Sequence, residues 1–156
     1  MCLVCLGARF CAATLHVPRL VGTPPPNTTT VEIVAGDRVI LVGWWLHSDQ
    51  PSGNCVIVLH GIADSSVGSV AFAPMFLTQG YSVLVPDSRA HGRSGGEFVT
   101  YGLMERYDVI GWARWMRTAG CRKIYGLGES LGASILIQAA AVEPVFTAIE
   151  IGRAHV

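Results

Sequence analysis

The chain reads as an α/β domain, a doubly wound and mostly parallel sheet entered through an N-terminal antiparallel hairpin. Three observations predict it. Residues 55–59 and 81–85 are short runs, mostly apolar, that stop at His60-Gly61 and Pro86-Asp87, as central strands covered on both faces do. Strand and helix patterns alternate from Cys55 onward, so right-handed crossovers would lay successive strands side by side. The composition is 51% hydrophobic and 14% charged with mean hydropathy +0.44, too apolar for a disordered chain. At 156 residues there is room for one domain with a real core and not for two of ordinary size.

The elements follow in order. Residues 1–30 are an apolar leader and a Pro-rich linker, in which Pro24-Pro25-Pro26 is stiff and extended. The apolar start, broken by Arg9, is short for a membrane span and has neither the basic start nor the cleavage site of a signal peptide. Two readings of it stand level. It is a loosely packed leader of a cytoplasmic protein, or the end of a longer anchor that would associate the chain with a membrane through its N-terminus. The folded domain is expected over residues 31–150. Val31-Glu32-Ile33-Val34 alternates as a half-exposed strand does, Gly36-Asp37 signals a turn, and residues 38–46 supply the second strand of a hairpin. Val70, Ala73, Phe76 and Leu77 mark a helix that Gly80 ends, with Pro74 setting where its regular part starts. Residues 103–118 form a better helix. There Val109, Trp112, Ala113 and Met116 recur at helical spacing, and Gly120 follows as a stop.

The rest of the chain is organised around Gly126-Leu127-Gly128-Glu129-Ser130-Leu131-Gly132, which contains G-x-S-x-G. An apolar strand, Lys123-Ile124-Tyr125, precedes it, and a helix reaching to about Val142 follows. In that context the pattern is a nucleophile elbow. Ser130 would sit at the apex of a turn too tight for ordinary residues, with Gly128 and Gly132 lacking the Cβ atoms that would collide. The helix starting beside it would favour negative charge at the same spot.

Two further motifs accompany the elbow: Leu59-His60-Gly61-Ile62-Ala63-Asp64 after the third strand, and Pro86-Asp87-Ser88-Arg89-Ala90-His91-Gly92-Arg93-Ser94-Gly95-Gly96 after the fourth. In this order the three resemble the α/β-hydrolase superfamily over residues 31–149. The motif after the fourth strand is most similar to that of the branch holding serine aminopeptidases, monoacylglycerol-lipase-like enzymes and carboxylesterases. The resemblance implies a serine hydrolase acting on a small-molecule ester, thioester or amide. Ser130 would be the nucleophile, and the backbone N–H groups of Ile62 and Leu131 would form the oxyanion hole. It implies no cofactor and no metal. His60, His91 and Asp87 would shape loops rather than supply the base or the acid. Ser94 and Ser134 would be ordinary loop and helix serines. Glu129 would be structural or a mild pocket contact.

The triad acid and histidine of that family lie beyond the sixth strand, so both are expected to be absent from this chain, and the chain itself is expected to turn over no substrate. Glu143, Glu150 and His155 stand too close to Ser130 in sequence to fill those places. Residues 151–156 read codon by codon as a common sequencing adapter and are expected to be an artificial tail. A rival reading is a non-catalytic protein of the same fold that binds a ligand or partner. With 11 basic and 11 acidic residues and zero formal charge, nothing marks a nucleic-acid groove. Cys2 and Cys5 are read as small apolar residues, and five cysteines, an odd count, argue against a full disulfide framework. Oligomeric state is left open.

Overall fold

The computed structural model describes residues 16–152, so the apolar start up to residue 15 and the end of the tail lie outside the described residues. Its strands are β1 (Thr28–Val34), β2 (Ile40–Leu46), β3 (Asn54–Leu59), β4 (Ser82–Pro86), β5 (Lys123–Glu129) and β6 (Ala148–Gly152). Its helices are α1 (Ser66–Ser69), α2 (Ala73–Leu77), α3 (Glu105–Thr118) and α4 (Leu131–Val142). The strands form one sheet in the order β1-β2-β4-β3-β5-β6. β1 and β2 make the antiparallel hairpin, β2 also runs antiparallel to β4, and every pairing from β4 through β6 is parallel. The doubly wound sheet with its N-terminal hairpin is therefore present.

Alternation along the strands makes two cores. Ile57, Leu59, Leu84 and Ile124 point to the face covered by α3 and α4, where Val109, Trp112, Met116, Ile135 and Leu136 meet them. Val56, Val58, Val83 and Val85 point to the other face, beneath α1 and α2. On that second face an apolar hollow of about 540 Å³ opens between α2 and β6, lined by Val56, Phe76, Tyr81, Tyr125, Leu127 and Ile149.

Two expectations need correction. The helix expected around residues 70–77 is broken into α1, a 3-10 turn (Val70–Phe72) and α2. Pro74 is the cause: it has no N–H to donate to the carbonyl four residues back, and it stands in the first turn of α2. α3 starts at Glu105 rather than at residue 103. Glu105 is buried and turns back to accept from the Thr100 and Gly102 N–H groups, at 2.6 and 2.7 Å, so residues 101–104 are held as turns. Beyond those expectations, Cys55 and Cys121 form a disulfide, joining the start of β3 to the turn before β5. Their neighbours pair in register, Cys55 with Ile124, which brings the two sulfurs together although 66 positions separate them.

The described residues before β1, 16–27, carry no helix or strand, yet they are docked. Val17 packs against the core on the α3–α4 face, and the Arg19 guanidinium donates to the carbonyls of Gly92 (3.3 Å), Ser94 and Gly96 (2.7 Å). Among the described residues, no helix is long and apolar enough to cross a membrane. β6 runs through Ile151 to Gly152 and pairs with Gly128 and Glu129.

Candidate active site

The parallel strands point their C-terminal ends at one edge of the sheet, and the loops after β3, β4 and β5 meet there. Ser130 stands between β5 and α4 with φ +48° and ψ −110°, a left-handed backbone that non-glycine residues rarely adopt. Its neighbours explain why the chain can turn there. A Cβ at Gly128 would lie 2.6 Å from the backbone of Gly132 and Ala133, and one at Gly132 would lie 2.5 Å from the Leu59 carbonyl oxygen. Only glycine fits at either place. The Ser130 side chain is exposed, and its carbonyl accepts from Ser134 N–H at 3.2 Å, which starts α4.

Ser130 caps α4 through its backbone alone, since its hydroxyl makes no capping bond. Among the described residues no side chain hydrogen-bonds that hydroxyl. Leu131, buried, is the first residue of α4, so its N–H is one of the unpaired donors at a helix start. Gly61 comes up beside the serine: a Cβ there would lie 3.5 Å from Ser130 Cβ. The side chain of Ile62 is exposed.

His60 fixes that loop. It is fully buried, its Nδ1 donates to the Gly61 carbonyl at 2.7 Å, and its Nε2 accepts from Ser88 N–H at 2.9 Å. Those partners demand the neutral ring with its proton on Nδ1. Burial pushes its pKa below the ordinary histidine value, with the nearby His91 adding to the effect against the favourable Gly61 bond. The Gly61 carbonyl and the Ile62 N–H are opposite ends of one trans peptide, so holding the one outward sets the direction of the other.

The His91 ring packs 4.8 Å from the His60 ring, tilted 60° to it, and donates from Nδ1 to the Arg89 carbonyl at 2.9 Å. It too is fully buried and shifted down by burial. Its Nε2 has no partner among the described residues. Neither ring hydrogen-bonds Ser130. Asp87 ties the loops instead: one carboxylate oxygen accepts from Ser66 N–H at 2.7 Å and the other from Arg93 N–H at 2.8 Å. Ser94 donates to the Asp87 carbonyl at 2.7 Å and accepts from Val42 N–H at 2.9 Å, which anchors the β4 loop to β2.

Beneath that loop, Arg89 is buried in a fork with Asp108 of α3, both bonds 2.7 Å, and reaches Asp37 in the hairpin turn at 2.8 Å. Burial works against its charge, but the bonds to Asp108 and Asp37 outweigh it and hold the guanidinium above its ordinary pKa. The bond from Arg89 in turn holds Asp37 below the usual carboxylate range. The sequence reading missed this group, although Asp108 lies one turn before Trp112 on the buried face of α3, and a charge on a buried face needs a partner. Among the described residues no three His, Cys, Asp or Glu side chains converge in a way that could hold a metal ion.

This edge of the sheet has the layout of an α/β hydrolase. The model of the alpha/beta hydrolase fold family matches residues 54–145, and the chain belongs to that family. It is similar to the uncharacterized protein YqkD of Bacillus subtilis, 34% identical over 82 residues, which are 51% of this chain and 27% of that protein. Among solved structures it resembles the Pyrococcus furiosus esterase Pf2001, with a TM-score of 0.77 and 32% identity over 86% of this chain and 56% of that one. The alpha/beta hydrolase GrgF from Penicillium sp. sh18 shares the fold, with a TM-score of 0.74 and 21% identity over 80% of this chain and 45% of that one. The chain thus spans about half the length of the esterase, at 56%, and about a quarter of the Bacillus protein, at 27%.

Proposed function

We propose that the full-length protein is a serine hydrolase that cleaves a carboxylic ester, thioester or amide through an acyl-enzyme on Ser130. The observation that carries the reading is the backbone at Ser130, φ +48°, enclosed between two glycines that admit no Cβ. Strain of this kind costs roughly 1–3 kcal/mol and persists where the surroundings over-determine it, commonly at a reacting residue. A protein that only binds has no use for it.

In the reaction, Ser130 Oγ attacks the carbonyl carbon, and the developing oxyanion is received by the N–H groups of Ile62 and Leu131. Such donors act on charge that exists only in the transition state, and each is worth about 2.7–4 kcal/mol of barrier. The serine proton passes to a histidine and from it to the leaving group, and water then releases the acid. His60 is not that histidine, because both its nitrogens are engaged by backbone groups. The base and its acid partner are assigned to the part of the fold that this chain does not span.

The test is fluorophosphonate labelling of the full-length protein with peptide mapping by mass spectrometry. One phosphonyl group on Ser130, lost in Ser130→Ala along with ester turnover, is the expected result. A folded wild-type protein that neither labels nor hydrolyses esters would leave the ligand-binding reading in its place.

A further inference from the structure

Residues 16–22 dock against the loop that follows β4 and against α1, the helix that follows the β3 loop. Arg19 bonds to three carbonyls of the β4 loop, those of Gly92, Ser94 and Gly96. The loop answers: Arg93 Nη2 donates to the Gly22 carbonyl at 3.1 Å. Gly22 lies so close to Val67 of α1 that a Cβ there would be 2.5 Å from the valine Cγ2. At the other end of the segment, the His16 ring packs 4.8 Å from Phe98, just past the same β4 loop. The hydrogen bonds join residues more than 70 positions apart in sequence, and the segment links the β4 loop to α1 without contributing to the sheet.

A chain of hydrogen bonds runs from the clamped loop to the Gly61–Ile62 peptide. Arg93 N–H and Ser66 N–H share the Asp87 carboxylate. The next residue, Ser88, donates to His60 Nε2, and His60 Nδ1 holds the Gly61 carbonyl whose peptide carries the Ile62 N–H. We propose that residues 16–22 are a working part of the catalytic centre: a strap whose Arg19, as a positioning residue, holds the β4 loop in the shape that aims the Ile62 donor. The proposal rests on the serine-hydrolase reading for its catalytic consequence, and on geometry alone for the clamp.

Three charge-assisted bonds from one guanidinium explain why arginine is placed there: its planar fork reaches several carbonyls at once, whereas a lysine is a single point. In the full-length protein, Arg19→Ala is expected to slow both fluorophosphonate labelling and kcat for a short ester by about tenfold, the scale of one lost bond to a charged group. KM should stay within about twofold, and Arg19→Lys should fall between the two. Ethylguanidinium added to Arg19→Ala should restore part of the rate. Hydrogen exchange at the amides of Ser66, Ser88 and Arg93 should quicken in Arg19→Ala.

Wild-type labelling and turnover rates in Arg19→Ala, with unchanged exchange at those amides, would overturn the strap. A lower melting temperature with full activity would overturn it as well, reducing Arg19 to a stability contact. Absence of labelling in the wild type, with the exchange difference intact, would instead remove the hydrolase reading and leave the clamp standing.

Discussion

The backbone at Ser130 shows how little freedom the neighbouring positions have. The turn places Gly132 directly above the end of β3, where an added Cβ would meet the oxygens of Leu59 at 2.5 Å and His60 at 2.8 Å. Both are backbone atoms, so the collision cannot be relieved by a rotamer change. Gly132→Ala should cost about 3 kcal/mol or more in urea unfolding, near the upper end for single substitutions. Gly36, where a Cβ would meet nothing within 4 Å, is the control, and Gly36→Ala should change stability by less than about 0.5 kcal/mol. The sequence made the need for glycine legible here, because G-x-S-x-G between an apolar strand and a helix has one sterically sensible reading. What a one-dimensional pattern cannot carry is the identity of the atoms that would collide: Leu59 and His60 belong to a motif some 70 residues earlier.

At the scale of elements, α3 is the informative case. Its apolar spacing was readable, since Val109, Trp112, Ala113 and Met116 all lie in the core. Its two buried acids were not, because their partners come from other elements: Arg89 follows β4, and Glu105 turns back to backbone groups of the preceding turns. Removing one member of the Arg89–Asp108 pair leaves a buried charge alone. Arg89→Met is expected to destabilise the fold by about 3–5 kcal/mol. The double variant Arg89→Met with Asp108→Leu should be less destabilised than Arg89→Met alone, and a double-mutant cycle from urea curves reads the difference. Additive losses would show that the two side chains act independently. The same limit applied to α1 and α2. Pro74 was visible as the start of a regular helix, but the run before it is a separate short helix, placed by Ser65 capping and by the Asp87 bond to Ser66.

For the molecule as a whole, the fold class could be read from alternation and crossover handedness, but the order of strands could not. β4 sits between β2 and β3, a placement fixed by packing that no local pattern records. The two buried histidines give the whole fold a pH dependence. Both are held neutral by burial, so their pKa values are lower in the folded chain than in the unfolded one, where histidine titrates near about 6.5. Below that point the unfolded state binds more protons, and stability rises with pH. The histidine contribution is therefore complete above pH about 6.5 and is lost as the pH falls toward the depressed folded values. Two such groups give at most about 2.7 kcal/mol per pH unit. Urea midpoints at pH 8 and pH 5.5 should show the decline, and replacing His91 with glutamine should flatten it; a midpoint that does not move with pH would contradict the neutral assignments.

The bond between Cys55 and Cys121 has a topological meaning as well. It turns the 66-position separation into a covalent ring that holds most of β3, with α1, α2, β4 and α3, and with them Gly61, Asp87 and the Arg89–Asp108 pair. Ser130 lies outside the ring, nine positions past its closure. A protease that cuts an exposed loop within the ring, for instance beside Leu103 at 59% exposure, makes a nick without producing two molecules. The severed ends remain tethered on either side of one core. The framework around the serine thus stays a single object under conditions that would divide an open chain, for as long as the surroundings keep the two sulfurs oxidised.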